Sequence, residues 1–460
     1  MAPMAATTIQ STPRTTYRSV FAAAEFRVLF AGLLMYVLGF EFEILGLSVL
    51  VYAQTRSAFL AALAFSMGFA PQAVGGALFT SLADRLPPRG VIAAGLLTRS
   101  APGLAIGLWP ALPIPAMLAL VAATAMVAPV FSAATSGLLP DVLDGDRYIL
   151  GRSIFSLTGS GAQIAGLGIG GAVLAVLPVR WLLLAAGSSL VVAAIVMRLG
   201  LRPRPARAKP APVRETVRGA IRGTVRATVV GNVELLADPR VRGLLLAQWL
   251  PGWFVTGAES LIVPYTGSLG RPASAASPLL AALPAGMLLG DVLIGRFCRP
   301  AVRQRLALPL ALLTGAPLLA LAFRPPLAVA GMILFMSGLG FGYQLGIQQA
   351  FLDSLPARLR GQAFGLSATG GMGGQGLIPP AAGGLAAALG AAAAMAAAGA
   401  ATILAALALR GPLTGRQAPR PPTERTNGPV AAAGKGCSLE RGVSTSRGTD
   451  GSHRTAAGGR

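Results

Sequence analysis

The chain has 460 residues, of which 54% are apolar and only 12% charged, where soluble domains carry about a quarter charged residues. With a mean hydropathy of +0.66 and no hydrophilic stretch long enough for a soluble domain, it reads as an all-α, polytopic membrane protein, which excludes most soluble enzymes. The formal charge of +22 does not point to nucleic acid. Residues 198–242 and 410–460, two polar segments beside apolar blocks, supply 14 of it, as loops facing an anionic leaflet do.

In chain order, residues 1–27 are polar and lack the apolar core of a removable signal peptide, so they read as a cytoplasmic N-terminus. Apolar runs long enough to span a bilayer follow at 28–52, 58–82, 91–109, 113–138, 153–177 and 181–199. These make a first six-helix bundle over 28–199. A basic cytoplasmic linker occupies 200–242. Its Val213, Val217, Ile221, Val225 and Val229 recur every four residues, each followed by an arginine up to Arg226. That spacing suits a basic amphipathic helix lying on an anionic inner leaflet, and a low-complexity linker is the alternative. Six further runs, at 243–266, 274–296, 305–323, 326–350, 362–385 and 387–409, make a second bundle over 243–409. The tail 410–460 has no apolar period and reads as disordered.

Twelve spans place thirty-three basic residues on the side of the termini and the linker. The other side has only Arg56, Arg180, Arg271 and Arg324, with Arg99 left inside the third span. The positive-inside rule then puts both termini in the cytoplasm. Two lysines against thirty-six arginines, with abundant Ala and Gly, suggest high-GC coding and hence a bacterial plasma membrane. Cys298, Cys437 and the one histidine, His453, cannot build a metal site, and no cofactor is expected. Two glycine patterns, at 166–171 and 371–376, fit a dinucleotide fingerprint but lie inside apolar helices, where no strand precedes them. Gly434-Lys435 lacks the glycine spacing and hydroxyl of a phosphate loop. Without an ATPase motif, the energy must come from a gradient.

The halves echo each other: Gly166-Leu167-Gly168-Ile169-Gly170-Gly171 in helix five matches Pro379-Pro380-Ala381-Ala382-Gly383-Gly384 in helix eleven. Asp84 with Arg89 after helix two is echoed by Asp291 with Arg296 at the end of helix eight. Parallel six-helix repeats are what a two-bundle transporter shows. The run Thr80-Ser81-Leu82-Ala83-Asp84-Arg85-Leu86-Pro87-Pro88-Arg89 resembles the cytoplasmic loop signature of the major facilitator superfamily, with Thr80 and Pro87 where that family has glycines. Gly166, Gly170 and Gly171 resemble the antiporter signature of its twelve-helix drug and siderophore exporters, although Leu167 replaces the proline. The resemblance covers roughly residues 25–410. It implies two six-helix bundles, alternating access, a conformational-switch role for Asp84, Arg85, Arg89, Asp291 and Arg296, and a central cavity lined by helices one, four, seven and ten. Gly166, Gly170, Gly171, Gly383 and Gly384 are expected to pack helices closely.

Polar residues inside the membrane are the site candidates. Glu41 and Glu43 lie fourteen and sixteen residues after Arg27, roughly 21–24 Å along helix one, and cannot share a face. On helix seven, Gln248, Gly252, Thr256, Glu259 and Thr266 form one stripe. Ser337, Gln344 and Gln348 form another on helix ten. Trp249, Trp253 and Phe254 either offer stacking contacts or face lipid. Arg99 is about 12 Å inside helix three, where snorkelling is the cheaper reading and pairing with a carboxylate or an anionic substrate is the other. With no histidine in the membrane, the proton carrier must be a carboxylate: Glu259 first, then Glu41 or Glu43. Gln248, Thr256, Ser337, Gln344, Gln348 and Arg99 are the substrate-cavity candidates.

The expected activity is export of a small amphipathic drug or secondary metabolite by proton antiport, as a monomer, with an importer or uniporter of the same fold as the alternative. A membrane enzyme would need a metal or nucleophile constellation that this chain lacks. Reporter fusions after Arg410 and within residues 200–240 are expected to read cytoplasmic, and one at Arg271 external. An external signal from 200–240 would defeat the twelve-span arrangement.

Overall fold

The computed structural model describes residues 16–79, 86–109, 111–206 and 228–415. The described residues all belong to one compact unit, within Met1–Gln417. Within it the helical passes are numbered α1 to α12. The first half holds α1 (Ala24–Thr55), α2 (Ala58–Ser66, continuing as Phe69–Phe79), α3 (Pro88–Leu108), α4 (Ile114–Ala125, continuing as Ala128–Val142), α5 (Asp146–Val176) and α6 (Val179–Gly200). The second holds α7 (Pro239–Ser260, continuing as Ile262–Ser268), α8 (Ala276–Phe297) and α9 (Pro300–Gly315, continuing as the 3-10 helix Pro317–Phe323). It ends with α10 (Leu327–Gly340, continuing as Tyr343–Ser354), α11 (Arg360–Leu389) and α12 (Ala391–Ala408).

Ten of these passes are long and apolar enough to cross a membrane by length and composition. The passes α7 and α11 fall short of that measure. Their sequences explain it: α7 carries Arg240, Arg242, Gln248 and Glu259, and α11 carries Gln362, Gln375 and many glycines. Both are nevertheless continuous helices of 22 and 30 residues packed against one another. Helix ends follow local chemistry. Ser57 caps α2 by accepting from the Leu60 N–H, and Asp238 caps α7 by accepting from the Arg240 N–H. Proline opens α3, α7 and α9, where its missing N–H costs nothing. Helix α5 begins at Asp146, earlier than the apolar run at 153, through a more polar stretch that includes Asp146, Arg147 and Arg152.

The buried side chains show how the halves meet. One core cluster draws on both halves, from Phe42, Leu45 and Phe65 to Ala258, Leu279 and Ala386. Toward the linker the cores are separate, one around Phe26, Leu96 and Leu138, the other around Leu244, Tyr343 and Ile347. Close contact between halves is accordingly found away from the linker. On α11, Gly376 lies against the Ala70 backbone of α2, and a Cβ at Gly383 would sit 2.7 Å from the Phe59 Cα. On α8, the Ser277 hydroxyl donates to the Leu167 carbonyl of α5. The Tyr52 hydroxyl donates to the Pro264 carbonyl at 3.4 Å. Toward the linker, a Cβ added at Gly159 or Gly161 of α5, or at Gly361 or Gly365 of α11, would meet nothing within 4 Å. The assembly is sealed at its far end and parted at its linker end.

Each described end of the linker is tied to one half. Arg204 holds Glu25 at the start of α1 by two bonds of 2.9 and 2.7 Å, and that carboxylate raises the pKa of the Arg204 guanidinium still further. The helix Thr228–Ala237 is bound through Glu234 to Arg358, and through Thr228 and Asn232 to Gln362 on α11. The expected amphipathic helix falls almost wholly on 207–227, outside the described residues, as does the tail beyond 415. The tail boundary at 410 needs a small correction: the short helix Arg410–Leu413 continues the bundle, with Leu413 fully buried.

Gly376→Leu is expected to insert but to hold the sealed end apart, because the neighbouring atoms are backbone and cannot give. In a background lacking Cys298 and Cys437, a Tyr52→Cys reporter should then react about tenfold faster with an impermeant thiol reagent, the effect of roughly 1.4 kcal/mol of overpacking. Equal labelling with and without the leucine would show that α2 and α11 do not form the seal.

Candidate functional site

The glutamates of α1 point to opposite sides, as their two-residue spacing requires. Glu43 faces α3, where its Oε1 accepts from Arg99 at 3.1 Å. Arg99 also donates to the Thr124 hydroxyl of α4 at 3.2 Å, and its guanidinium lies 5.9 Å from the Phe40 ring centroid. Both members of the pair are buried, at 1% and 3% exposure. Arg99 therefore neither snorkels nor lines the cavity; it meets its counter-charge inside the first half. Two atoms of the pair, Glu43 Oε2 and Arg99 Nε, are buried without a hydrogen-bond partner.

Glu41 turns to the other side of α1. Its Cβ packs on α5 at Gly166, the Gln163 side chain approaches its carboxyl, and Glu259 of α7 lies within electrostatic reach across the two halves. No ion pair to Glu41 or Glu259 occurs among the described residues. One carboxylate from each half therefore stands beneath the sealed end without a cation.

The rest of the α7 stripe divides. Gln248 accepts from the Ser367 hydroxyl of α11 at 2.9 Å, while its Nε2 is buried without a partner. The Thr256 hydroxyl donates back to the Gly252 carbonyl of its own helix. Thr266 is buried in the sealed end. Trp249 and Trp253 stack 5.8 Å apart and donate to the Ser367 and Gly371 carbonyls. Their rings lie over Gly370 and Gly374, so they brace α7 against α11 rather than facing lipid.

On α10 the expected stripe breaks. Ser337 is fully buried and donates to the Thr314 carbonyl of α9, so it does not reach the cavity. A turn at Phe341–Gly342 then restarts the helix. In the second segment Tyr343 bonds the Ala247 carbonyl of α7, Gly346 lies against α9, and Leu345 lies against Gly295 of α8. Gln344 and Gln348 remain exposed on the side that none of these helices covers.

Of the expected switch residues, Asp84 and Arg85 lie outside the described residues. Arg89 donates to the Arg198 carbonyl at 2.5 Å, a tie between α3 and α6 inside one half. Asp291 and Arg296 are exposed near the linker end of α8, with no ion pair among the described residues. The glycines sit at helix contacts: Gly166 and Gly170 on α1, Gly171 on Ser277, and Gly383 and Gly384 on α2 at Phe59.

Several contributors carried a signal that the polar-residue search passed over. Gln163 is a lone amide in an apolar run, and Thr124 and Ser367 are single hydroxyls. The rings of Tyr36, Phe40 and Phe69 form a chain with centroids 6.2 and 6.0 Å apart, on the side of α1 where Phe40 meets Arg99.

A sequence profile described as Major Facilitator Superfamily matches residues 28–378. Comparison with curated proteins finds no match. Among solved structures, the chain is similar to a peptide transporter, POT, in complex with sulfate (TM-score 0.67, 16% identity, covering 88% of this chain and 97% of that one). It is similar to a POT family transporter in complex with 5-aminolevulinic acid (TM-score 0.66, 13% identity, 88% and 98%). It is also similar to a bacterial homologue of the human lysosomal transporter Spinster in an inward-facing, unoccupied conformation (TM-score 0.59, 17% identity, 85% and 95%).

Arg99→Met should leave Glu43 buried and unpaired and lower stability by about 3–5 kcal/mol. The double change Arg99→Met with Glu43→Met should recover most of that loss. Thermal melting in detergent checks both, and an unchanged single variant would show that the pair holds nothing together.

Proposed function

The chain belongs to the major facilitator superfamily, whose members are secondary transporters of small molecules and not enzymes, and we propose that protons drive its transport through Glu259 and Glu41. The observation that carries this reading is their placement: one carboxylate from each half, each beside a residue of the core that both halves share (Phe42, Ala258), and neither in an ion pair among the described residues. A proton held there is felt by both halves at once. Glu43 drops out as a carrier because Arg99 already neutralises it.

Toward the linker end, Gln344 and Gln348 are exposed. The split of thirty-three basic residues against four supports a cytoplasmic linker end and cytoplasmic termini in a bacterial plasma membrane, and hence an inward-facing state. The direction we favour is uptake, because the similar solved structures include peptide transporters. The drug-exporter reading rests on Gly166, Gly170 and Gly171, and close packing against Glu41, Leu45 and Ser277 is reason enough for glycine at all three.

In reconstituted vesicles, Glu259→Gln is expected to insert and to exchange solute, yet to lose accumulation driven by an imposed pH gradient. Glutamine keeps the shape and hydrogen bonding but cannot titrate. If this variant still concentrates solute against its gradient, Glu259 is not the coupling group.

A further inference from the structure

Three spans carry small residues at one level: Ala70 on α2, Ala122 and Ala123 on α4, and Gly376 on α11. Where they meet they leave a groove of about 530 Å³, within the roughly 300–1,000 Å³ of small-molecule sites. Its level can be counted from the far ends of the helices. Ala122 to Met126 follow Ile114, the start of α4, by eight to twelve residues, or about 12–18 Å. Gly376 to Pro380 precede Leu389, the end of α11, by nine to thirteen residues, or about 14–20 Å. In a hydrocarbon core about 30 Å thick, both counts lead to its middle.

The groove faces lipid rather than the interior. On α11, Leu377, Ala381, Gly384, Leu385 and Ala388 are exposed along one face, while Ala382, Gly383 and Ala386 on another are buried in the sealed end. Leu377 belongs to the exposed face and to the groove, as do the exposed Val74 of α2 and Ala123 of α4 on their own helices. The lining is apolar apart from Ser66, whose hydroxyl donates to the Leu63 carbonyl of its own helix at 3.2 Å. A water held there would need about two to four polar partners, and the lining side chains supply one hydroxyl, already donating. An empty groove would forfeit dispersion along its whole lining. At this depth the material at hand is the terminal half of a lipid acyl chain, its head group about 15 Å away.

We infer that this groove seats the terminal half of an acyl chain from a bilayer lipid, held between α2, α4 and α11. Lipid tails are as apolar as the lining, so the chain is held by fit and not by escape from water. It touches both halves beside the Gly376–Ala70 contact, and so borders the seam that alternating access must open. The inference stands apart from the proton reading, since neither Glu41 nor Glu259 lines the groove.

The test uses the full-length protein in vesicles of phosphatidylethanolamine and phosphatidylglycerol with a trace of diacyl phospholipid carrying a diazirine at its chain end. After illumination, mass spectrometry maps the adducts. The reference is Leu404 of α12, 67% exposed and thirteen residues, about 20 Å, from the start of its helix. Random contact with lipid favours Leu404 over the half-buried Met67 and Met126 of the groove. A seated chain should instead label those two about fivefold more than Leu404. Moving the diazirine next to the glycerol should remove the excess, because that part of the chain lies at the interface. Ala123→Phe and Val74→Trp, on different helices, fill the groove, and each should abolish the excess while leaving adducts at Leu404 unchanged. Size-exclusion profiles matching the parent establish that the variants are folded. No excess at Met67 and Met126, or an excess that persists in both folded variants, overturns the inference. So does preferential labelling of the groove by a single-chain lysophospholipid with the same diazirine, which would make the occupant a free amphiphile.

Discussion

A charge placed in hydrocarbon must find its counter-charge within the protein, and the first half is organised around one such meeting. Arg99 of α3, Glu43 of α1 and Thr124 of α4 join three spans at a single buried point. Removing either ion alone would leave the other stranded, so the three helices are bound in orientation as well as in contact. The rotation of α1 is set by this pair, helped by Gly39 and Gly46 fitting against α6. Because successive residues turn by about 100°, holding Glu43 toward α3 sends Glu41 about 200° round, toward α5 and the second half. The buried pair and the carboxylate proposed as proton carrier are consequences of the same helix geometry.

Much of this was legible in the sequence. The apolar runs locate all twelve passes, and the rule that residues two apart on a helix cannot share a face separates Glu41 from Glu43. The polar stripe on α7 leads to Glu259. What could not be read was pairing across distance. Arg99 and Glu43 are 56 residues apart, and a search along the chain sees an arginine near a helix end, for which snorkelling is the local solution. Trp249 and Trp253 look like interfacial aromatics until α11 supplies glycines and carbonyls 118 residues later. The stripe on α10 failed for a different reason. The turn at Phe341–Gly342 resets the helical phase, so Ser337 and Gln344 do not share a face although their spacing says they should.

The strong polar ties lie within halves. Arg99 with Glu43, Arg89 with the end of α6, and Arg204 with Glu25 brace the first. The tryptophans on α11, and Tyr343 on α7, brace the second. The linker follows the same division, its leading end bonded to the first half and its helix at 228–237 to the second. Each half is held as a body, and what remains between them is of another kind.

At the seam the contacts are glycine against backbone and alanine, and two hydroxyls donating to carbonyls, from Ser277 and Tyr52. Dispersion at such contacts is short-ranged, and it is lost outright once the helices separate by an ångström. A seam of this kind is stiff while closed yet, among the described residues, holds no ion pair that must be dehydrated each time it re-forms. Two conformations can then differ by only a few kcal/mol, which is the range in which a bound ligand shifts populations. Glu41 and Glu259 lie just beneath it, one on each body. When both are ionised, two carboxylates without a cation would repel across the line of separation, and a proton on either would remove that repulsion. On the proposed reading, adding or withdrawing one proton at this point would act directly on the free energy of parting the halves, without a relay through the rest of the fold.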